Sequence, residues 1–213
     1  MWLEPGVVSL SVLGSFFIWT NLHLLLRLLG VASRWGWLLN SKSAYTAVVL
    51  CHAYLYYTRP LSESHADVYT DLLVWSAGFH LYHTTQIDLR SVILHHISTS
   101  TVLSYILCTG GVDTPVGDLT VFILGGSVLT EPIIYLRRAL RRMRIYSGNV
   151  QKGVGWIFAV SFSVVRTAWC VRIVNYFFSP GLDLFIAGIL IVIFVLSAYF
   201  SCRLMKMARD VLL

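Results

Sequence analysis

The chain has 213 residues, 57% of them hydrophobic and only 12% charged, with a mean hydropathy of +0.73. Too little polar surface remains to cover a water-soluble domain of this size, so the composition excludes an ordinary soluble protein and points to an integral membrane one. The net charge of +6 could serve nucleic acid, but the basic residues fall in a few segments between apolar runs, which argues against that partner.

Seven apolar stretches, at 7–29, 43–58, 68–87, 91–109, 116–136, 154–178 and 182–202, are each near the ~20 residues that a spanning helix needs, the second being short. The expected fold is therefore all-α, a multispanning bundle of seven transmembrane helices. Pro5, Pro60, Pro115 and Pro180 lie between stretches, where a missing N–H does no harm, and only Pro132 lies inside one. With the N-terminus outside, thirteen of the sixteen Lys and Arg residues fall on the inner side, which predicts a lumenal or extracellular N-terminus and a cytosolic C-terminus. Cys51, Cys108, Cys170 and Cys202 are single and lack metal-type spacing.

The first stretch lacks a basic leading segment and carries Glu4, which favours an anchor over a cleaved signal peptide. It contains Asn21 and His23 but reads as an accessory, lipid-facing helix, followed by Trp35 and Trp37 at the interface. The second places His52 near mid-membrane, where a lone histidine more often bonds a neighbouring helix than a ligand.

The third stretch runs inward with Ser76, His80, His83 and Thr84 on one face, and the fourth returns with His95 only ~6 Å below Ser91. His95, Ser98 and Thr99 share a face; the adjacent His96 points about 100° away, so the two imidazoles cannot play the same role. Four of seven histidines thus sit within a turn or two of the loop at 86–90, and ionisable groups inside a bilayer usually mark function.

The fifth stretch carries Gly125 and Gly126 for close helix approach, with Ser127 and Glu131 on one face. A basic segment follows, in which Arg141 and Arg142 serve as topology determinants and lipid contacts or, on a sharper reading, as a dock for coenzyme A phosphates. The sixth buries Arg166 near its centre with Ser163, Thr167 and Cys170 on the same side, and Glu131 is the first candidate for its partner. The seventh has no strongly polar group after Asp183 and reads as a closing helix.

The segments SAGFHLYH, LHHISTSTVLSYIL, SVLTEPIIYLRRALRRM and FAVSFSVVR, in that order and spacing, resemble the signature segments of the TLC-domain family, whose best-known members are ceramide synthases. The second stretch, SAYTAVVLCHA, also resembles the family's first core helix. The resemblance divides the chain into an N-terminal anchor and loop (1–39), a six-helix TLC-like domain (40–205) and a cytosolic tail (206–213). It implies a lipid-accessible cavity, an endoplasmic reticulum location and lipid chemistry or homeostasis. It carries the family's paired histidines onto His95 and His96, and its buried arginine onto Arg166. The family's usual aspartate is His83 here and its glutamate position is Val128, with Glu131 one turn on; where ceramide synthases add a His–Asp pair and a second aspartate, this chain has Thr120, Val121 and Leu124. Ceramide synthesis is therefore not expected.

Three functions follow from these residues. The first is acyl transfer from acyl-CoA, as co-substrate with no permanently bound cofactor, to a lipid or lysolipid: His95 or His96 would be the base, Glu131 its orienting partner and Arg166 a charge stabiliser. His80, His83, His52, Ser98, Thr99, Ser127, Arg141 and Arg142 would contact substrate. The second is a non-enzymatic lipid sensor, homeostasis or trafficking factor, which the lost acidic positions favour. The third is a bis-histidine haem or metal protein between the third and fourth stretches, although desaturase-type histidine boxes are incomplete. Expected partners are membrane lipids and acyl-CoA, and not nucleic acid; the oligomeric state stays open, a homodimer included.

Overall fold

In the computed structural model, residues 4–29, 41–60, 64–85, 90–110, 114–133, 136, 140, 148–179, 181 and 183–212 are described. They form seven long helices and no strand: α1 (Pro5–Leu28), α2 (Ser41–Thr58), α3 (Ala66–Thr84), α4 (Arg90–Thr109), α5 (Pro115–Leu129), α6 (Gly148–Phe177) and α7 (Leu184–Leu212). Four stretches are long and apolar enough to cross a bilayer, namely Pro5–Leu28, Pro115–Ile133, Gly148–Phe177 and Leu184–Lys206, which makes this a helical membrane protein. The chain divides into two compact units, Met1–Val121 and Phe122–Leu213.

In the first unit α3 is the hub, packed against α1, α2 and α4. Its buried residues include Val68, Tyr69, Leu73, Ala77, Gly78 and Tyr82, which point nearly all round the helix. A helix enclosed in this way need not be apolar enough to face lipid, which explains how α3 accommodates His80 and His83, while Asp67 and Asp71 towards its start stay exposed. Two neighbours bond its backbone: Trp19 Nε1 donates to the Trp75 carbonyl at 3.2 Å, and Ser100 Oγ to the Ala77 carbonyl at 3.0 Å. Between those carbonyls and α1 the packing is so close that a Cβ on Gly78 would stand 2.8 Å from the amide nitrogen of Phe16. The α1 helix, expected as an accessory anchor, thus buries Val8, Val12, Ser15 and Trp19 in this unit while Leu10, Leu13, Phe17 and Ile18 stay exposed. Between α2 and α3 the Arg59 guanidinium clips Asp67 at 2.5 and 3.2 Å and also donates to the Ser64 carbonyl at 2.7 Å.

Helix α5 starts at Pro115 and is interrupted at Thr130, although 116–136 reads as one uninterrupted stretch. Pro132 has no N–H for the carbonyl of Val128, so the ladder breaks one turn earlier. In the second unit α6 and α7 pack against each other. Gly181, at φ +78°, takes the left-handed turn between them, and Asp183 Oδ1 accepts from the amides of Phe185 and Ile186 at 2.8 and 3.1 Å, capping α7.

Candidate functional site

The polar centre of the first unit is made by α3 and α4. His80 and His83 lie three apart on α3, and His96 faces them from α4. His80 Nδ1 and His96 Nδ1 are 2.6 Å apart; His83 Nδ1 and His96 Nε2 are 2.9 Å apart. Both nitrogens of one ring are therefore engaged by imidazoles of the opposite helix. His96 is 8% exposed, so these bonds form out of water. Around them Tyr45 of α2 stacks on Phe79 at 3.9 Å between centroids and sets its edge 5.8 Å from His80, while Phe79 stacks on His83 at 5.3 Å.

The proton count of this trio decides what it can do. In neutral rings each nitrogen pair shares one proton, so Nδ1–H of His80 can donate to His96, whose Nε2–H donates to His83, or every arrow can reverse. Passing a proton into one outer ring and out of the other interconverts the two patterns. The trio has the connectivity of a proton relay, with His96 as its middle member. Its separations are those of hydrogen bonds; nitrogens sharing one metal at bonds of about 2.0–2.1 Å stand farther apart, roughly 3 Å or more. Among the described residues no group of three His, Cys, Asp or Glu is arranged to hold a metal ion.

The sequence-predicted residues distribute unevenly over this geometry. His80, His83 and His96 are brought together. The side chain of His95 lies outside the described residues, as do Arg141 and Arg142. On α4 the buried line is His96, Ser100, Leu103 and Leu107, whereas Ser98 is exposed and Thr99 half-buried. His52, expected near mid-membrane to reach another helix, has its Nδ1 2.8 Å from the Val48 carbonyl of its own helix. Ser127 Oγ likewise donates within its helix, to Leu124 at 2.6 Å. Tyr45 and Ser100 were missed as neighbours of the histidines; both stand on apolar stripes whose direction only packing reveals.

Glu131 and Arg166 belong to the second unit. Glu131 is half-buried just beyond the break in α5. Arg166, expected to pair with it, makes no ion pair with a described residue. Its guanidinium lies 3.7 Å from the Trp169 ring centroid and 4.8 Å from that of Phe162, and Nη1 donates to Ser197 Oγ of α7 at 3.4 Å. Aromatic faces one turn away on the same helix take the place of the expected carboxylate.

No protein-family model matches the chain, and no curated protein or solved structure matches it significantly.

Proposed function

We propose that this is a TLC-like protein of lipid metabolism which transfers an acyl group from acyl-CoA to a hydroxyl of a lipid or lysolipid, with the histidine trio as its base. The observation that carries the reading is His96 bonded through both ring nitrogens to His80 and His83. Acyl transfer needs a group that takes the acceptor's proton and later returns one to the leaving thiolate. An outer imidazole removes the hydroxyl proton as oxygen bonds the thioester carbon; the C–S bond breaks, and the relay delivers the proton to sulfur. Shielding from bulk water by Tyr45 and Phe79 keeps that proton from leaking to solvent.

The same reading takes all seven helices as spanning, α2 to α4 being tolerated because α3 is enclosed, with a six-helix core preceded by α1. It places the N-terminus in the lumen of the endoplasmic reticulum, the C-terminus in the cytosol, and acyl-CoA on the cytosolic side. A second reading, a lipid sensor or homeostasis factor, is supported by the same bonds, since a ring engaged at both nitrogens also pins two helices together.

The test is turnover. Purified full-length protein is incubated with radiolabelled acyl-CoA and a lipid extract, and an acylated lipid is the expected product, its rate falling about 100-fold or more in His96→Ala. Absence of product together with co-purifying lipid in native mass spectrometry would replace the enzyme by the sensor.

A further inference from the structure

Among the described residues, the seam between α6 and α7 is lined with hydrogen-bond donors and carries no carboxylate side chain. On α6, Trp156, Ser163, Arg166 and Cys170 recur at spacings of seven, three and four, which places them on one face. On α7, Ser197 and Ser201 are four apart and share a face. The two helices are joined by a short connection and run antiparallel, and the bond from Arg166 Nη1 to Ser197 Oγ fixes their register. In that register Ser201 comes level with the turn of α6 that carries Ser163.

Three polar atoms of this line, Ser163 Oγ, Ser201 Oγ and Trp156 Nε1, are shielded from solvent and meet no hydrogen-bond partner among the described residues. Ser197 is itself 3% exposed. Each of these groups can donate, and helix α6 has no acidic residue, while the single one of α7 is Asp210 at its far end. Stacking on Trp169 and Phe162 offsets only part of the cost of holding a guanidinium there, and its remaining N–H groups call for acceptors.

Depth selects the kind of anion. Arg166 is twelve residues from Val154 and Ser197 thirteen from Leu184, about 18 to 20 Å along their helices, near the middle of a hydrocarbon layer of about 30 Å. A phospholipid phosphate is tied to the interface by glycerol and head group. A fatty acid crosses the layer as the neutral acid and can ionise beside a cation. Its planar carboxylate also matches the guanidinium fork with two parallel N–H···O bonds.

We infer that the α6–α7 seam binds the carboxylate of a long-chain fatty acid, with Arg166 as counter-ion and the hydroxyls of Ser163, Ser197 and Ser201 as further donors. Val160 on α6 and Phe200 on α7, each about 60° round its helix from Ser163 and Ser197, provide exposed apolar surface for its chain. The site involves the second unit alone and does not depend on acyl transfer by the histidines.

The experiment uses delipidated full-length protein in detergent, titrated with carboxyl-¹³C oleate and followed by NMR of the carboxyl carbon and by native mass spectrometry. Parallel titrations use methyl oleate and dioleoyl phosphatidate. Saturable binding of oleate, not matched by the ester, is expected. Affinity should fall about tenfold or more in Arg166→Met and several-fold in the Ser163→Ala/Ser201→Ala double variant. The two serine hydroxyls have no hydrogen-bond partner among the described residues, so the double variant keeps the wild-type melting temperature and separates binding from folding. The inference is overturned if oleate does not bind, if the methyl ester binds equally well, if phosphatidate binds in preference to oleate, or if the double variant binds like wild type.

Discussion

Replacing Gly78 by alanine tests the claim that α1 is part of the first unit and not a loose anchor beside it. The added Cβ would meet the Ser15 hydroxyl, lie 2.5 Å from Ser15 Cβ and 2.8 Å from the Phe16 amide nitrogen, against ordinary contacts of about 3.5–4.0 Å. Rotation about χ1 moves the Ser15 hydroxyl but not its Cβ, and the Phe16 backbone is equally fixed, so α1 must move outward by about 1 Å. That displacement stretches the Trp19 Nε1 bond to the Trp75 carbonyl from 3.2 Å to beyond bonding distance. Overpacking costs about 1–3 kcal/mol and the lost bond about 1 kcal/mol, while alanine recovers about 1 kcal/mol of helix propensity. The net loss is about 1–3 kcal/mol, read as a fall of several degrees in the melting temperature of detergent-solubilised protein. Gly14→Ala on α1 is the control: nothing lies within 4 Å of its Cβ, so propensity alone acts and stability is unchanged or slightly raised. Equal stability of the Gly78 variant and wild type, or equal damage by both substitutions, would refute the close crossing.

Ser100→Ala removes the buried bond to the Ala77 carbonyl and should cost about 1 kcal/mol, whereas Thr101→Val, whose hydroxyl bonds Ile97 of its own exposed helix turn, should cost little, both read by thermal melting. Asp183→Ala should lose about 1 kcal/mol by uncapping α7 and Asp183→Asn much less, since the amide oxygen can still accept. Hydrogen bonds from Arg59 hold the Asp67 carboxyl below the usual aspartate range. A group depressed in this way stabilises above the ordinary value of about 3.8, so a gap between wild type and Asp67→Asn should be present at pH 7 and close as acid protonates the folded carboxyl. An NMR titration in Arg59→Gln should return Asp67 to the ordinary range.

Apolar length was enough to read the helices, because a buried or lipid-facing backbone must satisfy itself and seven apolar runs leave few other arrangements. Each predicted stretch overlaps one observed helix, and the main departure, the break at Thr130, was signalled by Pro132. The pairing of His80 with His83 was legible from their spacing. The choice between His95 and His96 was harder, since each begins a line with hydroxyl residues, Ser98 and Thr99 for one and Ser100 for the other. Packing shows that the line from His96 through Ser100 and Leu103 to Leu107 is the buried one, which the sequence alone leaves open. The surroundings of Arg166 show a different limit. A search for opposite charge led to Glu131, while Phe162 and Trp169, at four before and three after, were equally visible and form the actual contact.

The histidine trio of the first unit lies on α3 and α4, both less apolar than α1, and enclosure explains why. A helix facing lipid must be apolar over most of its circumference, so substituting polar residues there costs several kcal/mol for each charge. Helix α3 meets protein on nearly every side, and its polar groups answer to neighbours: Asp67 to Arg59, His80 and His83 to His96. The Trp75 and Ala77 carbonyls, bonded from α1 and α4, hold α3 in register just one turn before His80. Rings required to meet at 2.6 and 2.9 Å across two helices tolerate little sliding, and the small residue at Gly78 lets α1 press close enough to prevent it. Loosening α1 should therefore disturb the histidine trio even though no α1 side chain takes part in its hydrogen bonds: in Gly78→Ala, imidazole ¹⁵N spectra should lose the shared-proton pattern of His96 that the Gly14 variant retains.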